Sequence, residues 1–266
     1  MRIAIVTGAS TGIGRATAET LARNGYRVFG TSRSIKNGGP ADVEMLICDV
    51  TDQQSVDGLI AQVLAEAGQI DLVVNNAGLG LVGAGEESSI QQAQALFDVN
   101  VFGVIRVINA VLPSMRQRGS GRIINVSSAL GLIPAPFSAL YAATKHAIEG
   151  YSESLDHELR GFGIRVSLVE PGFTRTAMEN NSLEADAPLS DYAEIRTKMF
   201  ALNIESLAKG DDPSVVAQTI SRAAGDNPPR LRYPAGKTAK QISLLRRLVP
   251  SKMFDQSLRK QLGLPD

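Results

Sequence analysis

An apolar run that leads directly into a glycine-rich turn and a helical pattern is the feature that most constrains the fold. The run spans 3–6, the glycines are Gly8, Gly12 and Gly14, and helical spacing continues to Gly25. Gly8 and Gly12 allow a tight turn and close backbone approach to a ligand, while Gly14 allows close packing of helix on strand. Free N–H groups at the start of such a helix attract a pyrophosphate, so a dinucleotide-binding turn is predicted.

Short apolar strands alternate with longer helical patterns along the rest of the chain. The strand runs lack polar alternation, which is typical of strands buried on both faces of a parallel sheet. We therefore predict an α/β fold: a single domain over 1–266 with a doubly wound, Rossmann-like parallel sheet of about seven strands and helices on both faces. Strands are predicted at 3–6, 26–32, 43–50, 70–76, 121–128, 164–172 and 230–236, and helices at 14–25, 52–68, 91–115, 138–160 and 213–226.

Composition narrows the class of protein. Hydrophobic residues make up 44% of the chain and charged residues 20%, which is typical of a globular protein with a substantial core. The net charge of zero leaves no basic field, so no nucleic-acid partner is predicted. The single cysteine, Cys48, excludes an internal disulfide and is predicted to be a buried thiol. Without a signal-peptide pattern or an uninterrupted apolar run near about 18 residues, we expect no membrane span and a cytoplasmic protein.

The residues that end the second and third predicted strands bear on the choice of dinucleotide. NAD-binding folds place an acidic residue at the end of the second strand, where it binds the ribose hydroxyls. Here Ser32 occupies that position and Arg33 follows it. A serine leaves room for a 2′-phosphate and an arginine binds it through charge-assisted hydrogen bonds, so NADP(H) is predicted, with NAD(H) as the alternative. Asp49 either accepts from the adenine amino group or caps the next turn.

Further motifs follow in order along the chain, each near a predicted strand end or helix start. They are TGASTGIG at 7–14, CDV at 48–50, NNAG at 75–78, Asn100, NVSS at 125–128, YAATK at 141–145 and EPGFTRT at 170–176. In these motifs the sequence resembles the short-chain dehydrogenase/reductase family in its single-domain form. The resemblance covers residues 1–176 and implies an oxidoreductase that transfers a hydride between a nicotinamide and a carbonyl or secondary alcohol.

The resemblance implies four catalytic residues: Asn100, Ser128, Tyr141 and Lys145. Ser128 lies thirteen residues before Tyr141, which is the family's spacing for the substrate-binding serine. Ser127 is then expected to face the sheet. Asn100 is expected to interrupt its helix and so to free a backbone carbonyl. A water held at that carbonyl would connect Lys145 to solvent as a proton relay.

The resemblance also implies a set of cofactor contacts at the glycine turn and the strand ends. The NNAG motif is expected to pack against the cofactor, and the segment 171–176 is expected to enclose the nicotinamide ring. The expected cofactor-binding residues are Gly8, Ser10, Thr11, Gly12, Ile13, Gly14, Ser32, Arg33, Asp49, Val50, Asn76, Ala77, Gly78, Tyr141, Lys145, Pro171, Gly172, Thr174 and Thr176.

A tyrosine and a lysine four residues apart have a physical rationale as a proton-transfer pair. A free tyrosine has a pKa near about 10 and is a poor base at neutral pH. Lys145 lies one helical turn from Tyr141, so its charge favours the phenolate. Tyr141 would donate a proton to a carbonyl oxygen in reduction or accept one from an alcohol in oxidation. Ser128 would hydrogen-bond the same oxygen, and Lys145 would also hold the nicotinamide ribose.

Other interpretations remain open. The tyrosine–lysine pair alone is more typical of an amphipathic helix with one exposed base, and it is the glycine turn together with Ser128 that favours catalysis. A regulatory or redox-sensing protein would bind NADPH without turnover, but a binding role alone does not require all four catalytic residues. A nucleotide-sugar epimerase shares the pair, but those chains are longer and have a tighter glycine spacing.

The remaining polar residues of the helix at 138–160 suggest no further chemistry. His146 and His157 are eleven residues apart, which is not a metal-ligand spacing, and no metal site is predicted. Four charged residues of this helix are predicted to form a solvated face: Glu153, Asp156, Glu158 and Arg160.

The chain changes character after residue 176. The polar, poorly periodic stretch 177–212 is predicted to be a substrate-loop excursion, since loops of this length are usually lids or binding loops. Candidates for lining a substrate pocket are Asn180, Asn181, Met199 and Phe200. This stretch and the tail after Tyr233 carry leucine, methionine and phenylalanine among polar residues. The tail resembles that of family members that act on steroids, retinoids or other bulky lipophilic alcohols, and this resemblance implies a lipophilic small-molecule substrate.

Residues 235–266 are predicted to form a basic amphipathic helical tail that Pro250 divides into two pieces. The tail either packs over the substrate region or a subunit interface, or contacts a membrane surface or a partner. The resemblance further implies a homodimer or homotetramer assembled through the helices at 91–115 and 138–160.

Overall fold

Seven parallel strands form the central sheet within residues 1–35, 39–176 and 183–262, which are the residues that the computed structural model describes. Their order across the sheet is β3-β2-β1-β4-β6-β7-β9, and every neighbouring pair is parallel. The predicted doubly wound fold is thereby confirmed. The strands are β1 (Arg2–Val6), β2 (Tyr26–Ser32), β3 (Val43–Ile47), β4 (Leu72–Asn75), β5 (Leu81–Val82), β6 (Gly121–Val126), β7 (Ile164–Pro171), β8 (Leu183–Glu184) and β9 (Arg232–Ala235).

Helices cover both faces of this sheet. On one face α2, α4 and α5 pack on the strands, and on the other face α1 and α7 do so. The α-helices of the described residues are α1 (Gly12–Arg23), α2 (Gln53–Ala67), α3 (Ile90–Phe97), α4 (Gly103–Arg118), α5 (Ala139–Leu159), α6 (Ala193–Ala208), α7 (Pro213–Gly225), α8 (Gly236–Leu248) and α9 (Ser251–Leu262).

Two hydrophobic cores lie on opposite faces of the sheet, and successive residues of one strand enter different cores. Ile5 of β1 packs among α2 and α4 residues, while its neighbour Val6 packs among α1 and α7 residues. Ile123 and Ile124 of β6 divide in the same way. Because side chains alternate across a strand, apolar residues are required at consecutive positions, which explains the absence of polar alternation in the sequence.

The chain leaves β1 toward β2 and β3 on one side and later returns to β4 on the other side. The carboxyl ends of β1 and β4 therefore border a crevice at the point where the strand order reverses. Open parallel sheets bind their ligands at such a point. The fold thus brings the glycine turn after β1 and the NNAG motif after β4 to one edge.

The predicted long helix at 91–115 is continuous, but its hydrogen-bonding pattern changes at Asn100, where an interruption was expected. The segment α3 ends at Phe97, a π-helical turn covers Asp98–Phe102, and α4 begins at Gly103. By length and composition alone, the continuous helical run Ile90–Arg118 could cross a membrane, but 50% of its apolar window is buried within the protein. A core helix of a soluble protein has the same properties, so the expected absence of a membrane span stays a prediction.

Asp156 corrects the prediction of a solvated face on α5. Glu153, Glu158 and Arg160 are exposed, but Asp156 is fully buried. Its carboxylate accepts hydrogen bonds from Arg165 Nε and from the backbone N–H of Val166, both at 2.9 Å. Although burial acts in the opposite direction, these bonds lower the pKa of Asp156 to about 2. The carboxylate therefore ties α5 to β7.

Replacing Asp156 with Asn should destabilise the protein by about 2 kcal/mol at neutral pH, because the depressed pKa reflects a charged form stabilised by folding. This contribution is present above the pKa of about 4 expected in the unfolded chain and is lost as the pH falls toward about 2. Urea unfolding of wild type and D156N from pH 7 to pH 2 should show the difference shrinking with acid. The exposed neighbour variant Glu158→Gln is the control, and equal stability of all three proteins would contradict the account.

Candidate active site

The glycine turn after β1 has a backbone that only glycine fits without strain. Gly8 and Gly12 adopt φ angles of +66° and +55°, in the left-handed region. A Cβ atom on Gly14 would lie 2.1 Å from the carbonyl oxygen of Gly8, so the close approach of α1 to β1 requires glycine here. Thr11 occupies the N-cap position of α1 without a side-chain capping bond. The first N–H groups of the helix therefore remain suited to bind an anion.

The NNAG motif fastens β4 to this turn. The side-chain amide of Asn76 donates to the carbonyl oxygens of Thr7 at 2.9 Å and Gly8 at 3.3 Å. In return, Thr7 Oγ1 accepts from the backbone N–H groups of Asn76 and Ala77, each at 3.0 Å. Four hydrogen bonds thus hold the two strand ends at the crevice in one geometry.

The segment after β7 closes the crevice from the other side. Pro171 ends β7, and Thr174 Oγ1 donates to the carbonyl of Gly172 at 3.2 Å. A Cβ atom on Gly12 would lie 3.1 Å from Thr176 Cβ, so this segment reaches back to the glycine turn. Gly12 and Thr176 also border an open pocket together with Arg175. These positions and the glycine cradle fit a dinucleotide with its pyrophosphate at the start of α1.

The residues expected to bind the adenosine half of the cofactor lie at the ends of β2 and β3. Ser32 is half-buried as the last residue of β2, and Arg33 is exposed beyond it. Asp49 accepts from the N–H of Thr51 at 2.9 Å and from its hydroxyl at 2.7 Å, and both bonds lower the pKa of Asp49. Of the two roles considered for Asp49, the turn cap is therefore present. Val50 is buried against Gly103 at the start of α4.

Asn100 lies in the π-helical turn and is buried. Its Oδ1 accepts from the backbone N–H of Leu79 at 2.8 Å, and its Nδ2 donates to the carbonyl of Leu79 at 2.9 Å. The same Nδ2 donates to Thr144 Oγ1 at 3.2 Å, and Thr144 in turn donates to the carbonyl of Tyr141. Asn100 therefore connects the loop after β4 to the helix that carries Tyr141.

Ser128 and Tyr141 are brought together, and Ser127 is not. Ser128 follows β6, where its hydroxyl accepts from the N–H of Leu130 at 3.2 Å. Burial raises the pKa of Tyr141 above its ordinary value, and a hydrogen bond with Ser128 acts in the opposite direction. Ser127 is instead buried beside Gly131. The structure thus separates the two serines as the thirteen-residue spacing implies.

Lys145 is a buried ammonium group one helical turn after Tyr141. Its Nζ donates to the carbonyl of Val126 at 3.0 Å and lies 5.6 Å from the centroid of the Tyr141 ring. Burial lowers the pKa of Lys145 to about 8, while the negative charge of Glu149 acts to raise it. The expected lowering of the Tyr141 pKa by Lys145 is not found, because burial of the phenol dominates and raises this pKa.

Glu149 belongs to a buried charge cluster behind Lys145. Its Oε2 accepts from Arg232 Nε at 3.0 Å, and the same Arg232 Nε lies 3.4 Å from Glu170 Oε1. Arg232 also donates to the exposed Glu153 at 2.9 Å. This cluster was not predicted from the sequence. The spacing of Glu149 four residues after Lys145 was a usable signal, whereas Arg232 lies 83 residues away.

The region beyond residue 182 forms a wall beside the crevice. The strand β8 pairs in parallel with β5, and the buried Glu87 forms an ion pair with Arg196 of α6. The ring of Tyr192 packs edge-on against Phe137, with centroids 6.1 Å apart. Of the candidate pocket residues, Met199 is buried and Phe200 is half-buried, and Asn180 and Asn181 lie outside the described residues.

Comparison with known proteins agrees with this geometry. The family model described as short chain dehydrogenase matches residues 2–187. The chain is 34% identical to 3-ketodihydrosphingosine reductase of Bacteroides thetaiotaomicron, covering 97% of each protein. It is 36% identical to retinol dehydrogenase 8 of Bos taurus, covering 94% of this chain and 86% of the relative.

Solved structures give the same result. A short-chain dehydrogenase from Streptomyces avermitilis is 35% identical, with a TM-score of 0.82 over 98% of this chain and 97% of that chain. A metagenomic short-chain oxidoreductase in complex with NADP is 28% identical, with a TM-score of 0.69 over 89% and 98%. A family member from Burkholderia phymatum in complex with NAD is 26% identical, with a TM-score of 0.79 over 96% and 95%.

The chain belongs to the short-chain dehydrogenase/reductase family, as the sequence resemblance indicated. It is an oxidoreductase of the kind that acts on hydroxyl and keto groups of small molecules with a nicotinamide cofactor.

Replacing Glu149 with Gln should lower the pKa of Lys145 further below about 8, because it removes the negative charge that acts to raise this pKa. If catalysis requires charged Lys145, the loss of kcat/KM with rising pH should move to lower pH by about one unit. Glu153→Gln is the matched control, since Glu153 binds the same arginine from the exposed side of α5. Identical pH profiles for E149Q and wild type would exclude this role.

Proposed function

We propose that the protein is an NADP(H)-dependent oxidoreductase for a lipophilic carbonyl or secondary alcohol, with Tyr141 as the general acid/base. The observation that carries the proposal is the convergence of the Ser128 hydroxyl, the Tyr141 phenol and the buried Lys145 ammonium at the crevice. A merely structural helix would expose its lysine to water, whereas Lys145 is 8% exposed. Burial of a charge without a function is costly, so a chemical role is favoured.

In the proposed mechanism Ser128 binds the substrate oxygen and Tyr141 transfers its proton. The raised pKa keeps the Tyr141 phenol protonated at neutral pH, which suits donation to a carbonyl oxygen in the reductive direction. Lys145 supplies positive charge near that oxygen and stabilises the phenolate left after donation. Asn100 holds the Tyr141 helix in register through Thr144. A bound nicotinamide supplies or accepts the hydride.

Arg33 is the residue proposed to select NADP(H). It is exposed beyond β2, where Ser32 replaces the acidic residue that would repel a 2′-phosphate. Its positive charge also contributes to the lowered pKa of Asp49, which follows β3. The related structures carry NADP in one case and NAD in another, so the proposal of NADP(H) for this chain is based on Ser32 and Arg33 alone.

The proposed lipophilic class of substrate is supported by the relatives and by the wall beside the crevice. The printed names of two relatives refer to a ketodihydrosphingosine and to retinol. In this chain the half-buried ring of Phe137, which precedes Tyr141 by four residues, meets the half-buried ring of Tyr192. A cytoplasmic localisation and assembly into a homodimer or homotetramer through the helices at 91–115 and 138–160 belong to the same proposal. Phe102, which precedes α4 and is half-exposed, suits such an interface.

Tyr141→Phe should reduce kcat by at least about a thousandfold and leave NADPH affinity within about twofold, since only the transferable proton is removed. The measurements are NADPH consumption with a panel of ketones of increasing size and NADPH binding by fluorescence. Tyr151→Phe, on the same helix, is the control and should stay active. An active Y141F would refute the mechanism. Wild-type protein that binds NADPH but reduces no ketone would favour the regulatory alternative.

Arg33→Ala should weaken NADPH binding by about tenfold or more and leave NADH binding unchanged, because only NADPH carries the 2′-phosphate. Titration calorimetry with both cofactors measures the two effects. Arg23→Ala, which removes an exposed arginine at the end of α1, should change neither affinity. Tighter binding of NADH than NADPH by the wild type would contradict the cofactor assignment.

A further inference from the structure

The carboxyl-terminal helices carry a charge that the rest of the chain does not share. Residues 236–266 contain seven Lys or Arg and two Asp or Glu, a net charge of +5. Since the whole chain is neutral, residues 1–235 carry −5. A basic segment of this kind attracts anionic surfaces, and the acidic remainder would be repelled by them. The asymmetry therefore defines which side of the protein would face such a surface.

The helix α8 presents an exposed apolar face on the side away from the protein. Ala239 is buried against the fold, and Leu248 follows it by nine residues, or about two and a half turns, which places it on the opposite side of the helix. Leu248 is 72% exposed, Leu244 is 59% exposed and Leu245 is 49% exposed. An isolated exposed leucine would need no explanation, but three on one helix face form a patch.

Exposed basic residues accompany this patch along both helices. Lys237 and Lys240 lie at the start of α8, and Lys252 lies in the first turn of α9 beside Met253, which is 61% exposed. Lysine stems lie along apolar surface while their ammonium groups remain in water. An apolar helix face flanked by lysines is the arrangement of helices that lie in the headgroup region of a membrane.

The first turn of α8 lies beside the active site. A Cβ atom on Gly172 would lie 3.5 Å from the backbone nitrogen of Ala239 and 3.6 Å from Thr238 Cβ. Gly172 belongs to the segment that closes the crevice next to Pro171. A surface that binds the outer face of α8 would therefore lie near the mouth of the crevice.

We propose that α8 and α9 dock the protein on an anionic lipid surface, with Leu244, Leu245 and Leu248 inserted among the acyl chains and the lysines at the headgroups. This inference rests on the proposed function, because the docked protein would take its lipophilic substrate into the crevice directly from the lipid. The geometry disfavours a symmetric contact with the same helices of a second copy, because two tails of charge +5 would then face each other.

The test is co-sedimentation of the full-length protein with vesicles. Vesicles of phosphatidylcholine with phosphatidylglycerol should bind about tenfold more protein than vesicles of phosphatidylcholine alone, and raising the salt from about 50 mM to about 500 mM should reverse most of the difference. The double variants Leu244→Ser/Leu248→Ser and Lys237→Gln/Lys240→Gln should each lose at least about tenfold of this binding. Ile47→Ser, which removes an exposed isoleucine at the end of β3, is the control and should bind as wild type does.

A second measurement separates this inference from the proposed function. Reduction of a water-soluble ketone without vesicles should be unchanged in both double variants, because none of the four residues belongs to the catalytic site. Vesicle binding without any ketone reduction would support the docking surface and contradict the proposed activity. Equal binding of wild type and both double variants, or no binding to anionic vesicles, would overturn the docking surface. A variant that lowers the oligomeric mass in light scattering and leaves vesicle binding intact would also overturn it, in favour of a subunit interface.

Discussion

The buried ammonium group of Lys145 is the constraint around which the carboxyl edge of the sheet is organised. An isolated charge in the interior is unfavourable, and burial lowers the pKa of this lysine to about 8. Two structural features oppose that loss of charge. The carbonyl at the end of β6 accepts a hydrogen bond from the ammonium group, and the carboxylate of Glu149 contributes negative charge one turn further along α5. Arg232 of β9 holds that carboxylate in place. Three elements distant in sequence therefore cooperate to maintain one positive charge beside Tyr141.

The cofactor side of the crevice depends on backbone geometry more than on charge. The left-handed conformations of Gly8 and Gly12 turn the chain into α1, and Gly14 lets that helix approach the first strand. Asn76 then binds the carbonyls of the turn from β4. A preformed turn of this kind presents helix N–H groups to a pyrophosphate without reorganisation. The cofactor side of the crevice is therefore formed by rigid backbone, whereas the substrate side is held in place by contacts between side chains.

Local pattern predicted the sheet, the helices that flank it and the residues at the strand ends. Apolar runs identified the seven strands because both faces of the sheet are buried. Asn100 marked the π-helical turn between α3 and α4, where its side-chain amide binds the backbone of Leu79. Sequence patterns did not predict the contacts between segments that are distant along the chain. The charged neighbours of Asp156 in the sequence predict an exposed helix residue, yet Arg165 and Val166 bind its carboxylate in the interior. The pairing of β5 with β8 and the ion pair of Glu87 with Arg196 likewise join segments that are about a hundred residues apart.

The central claim is that Tyr141 is a proton donor whose acidity is set by burial in the free protein and by positive charge in the working complex. The most direct measurement is a pH titration of tyrosinate absorbance, taken as wild type minus Y141F, with and without NADP⁺. In the free protein the pKa of Tyr141 should lie above its ordinary value of 10.0, because the phenol is buried. With NADP⁺ bound, the positive charge of the nicotinamide should lower the pKa of Tyr141. A pKa that is the same in both states would contradict the account.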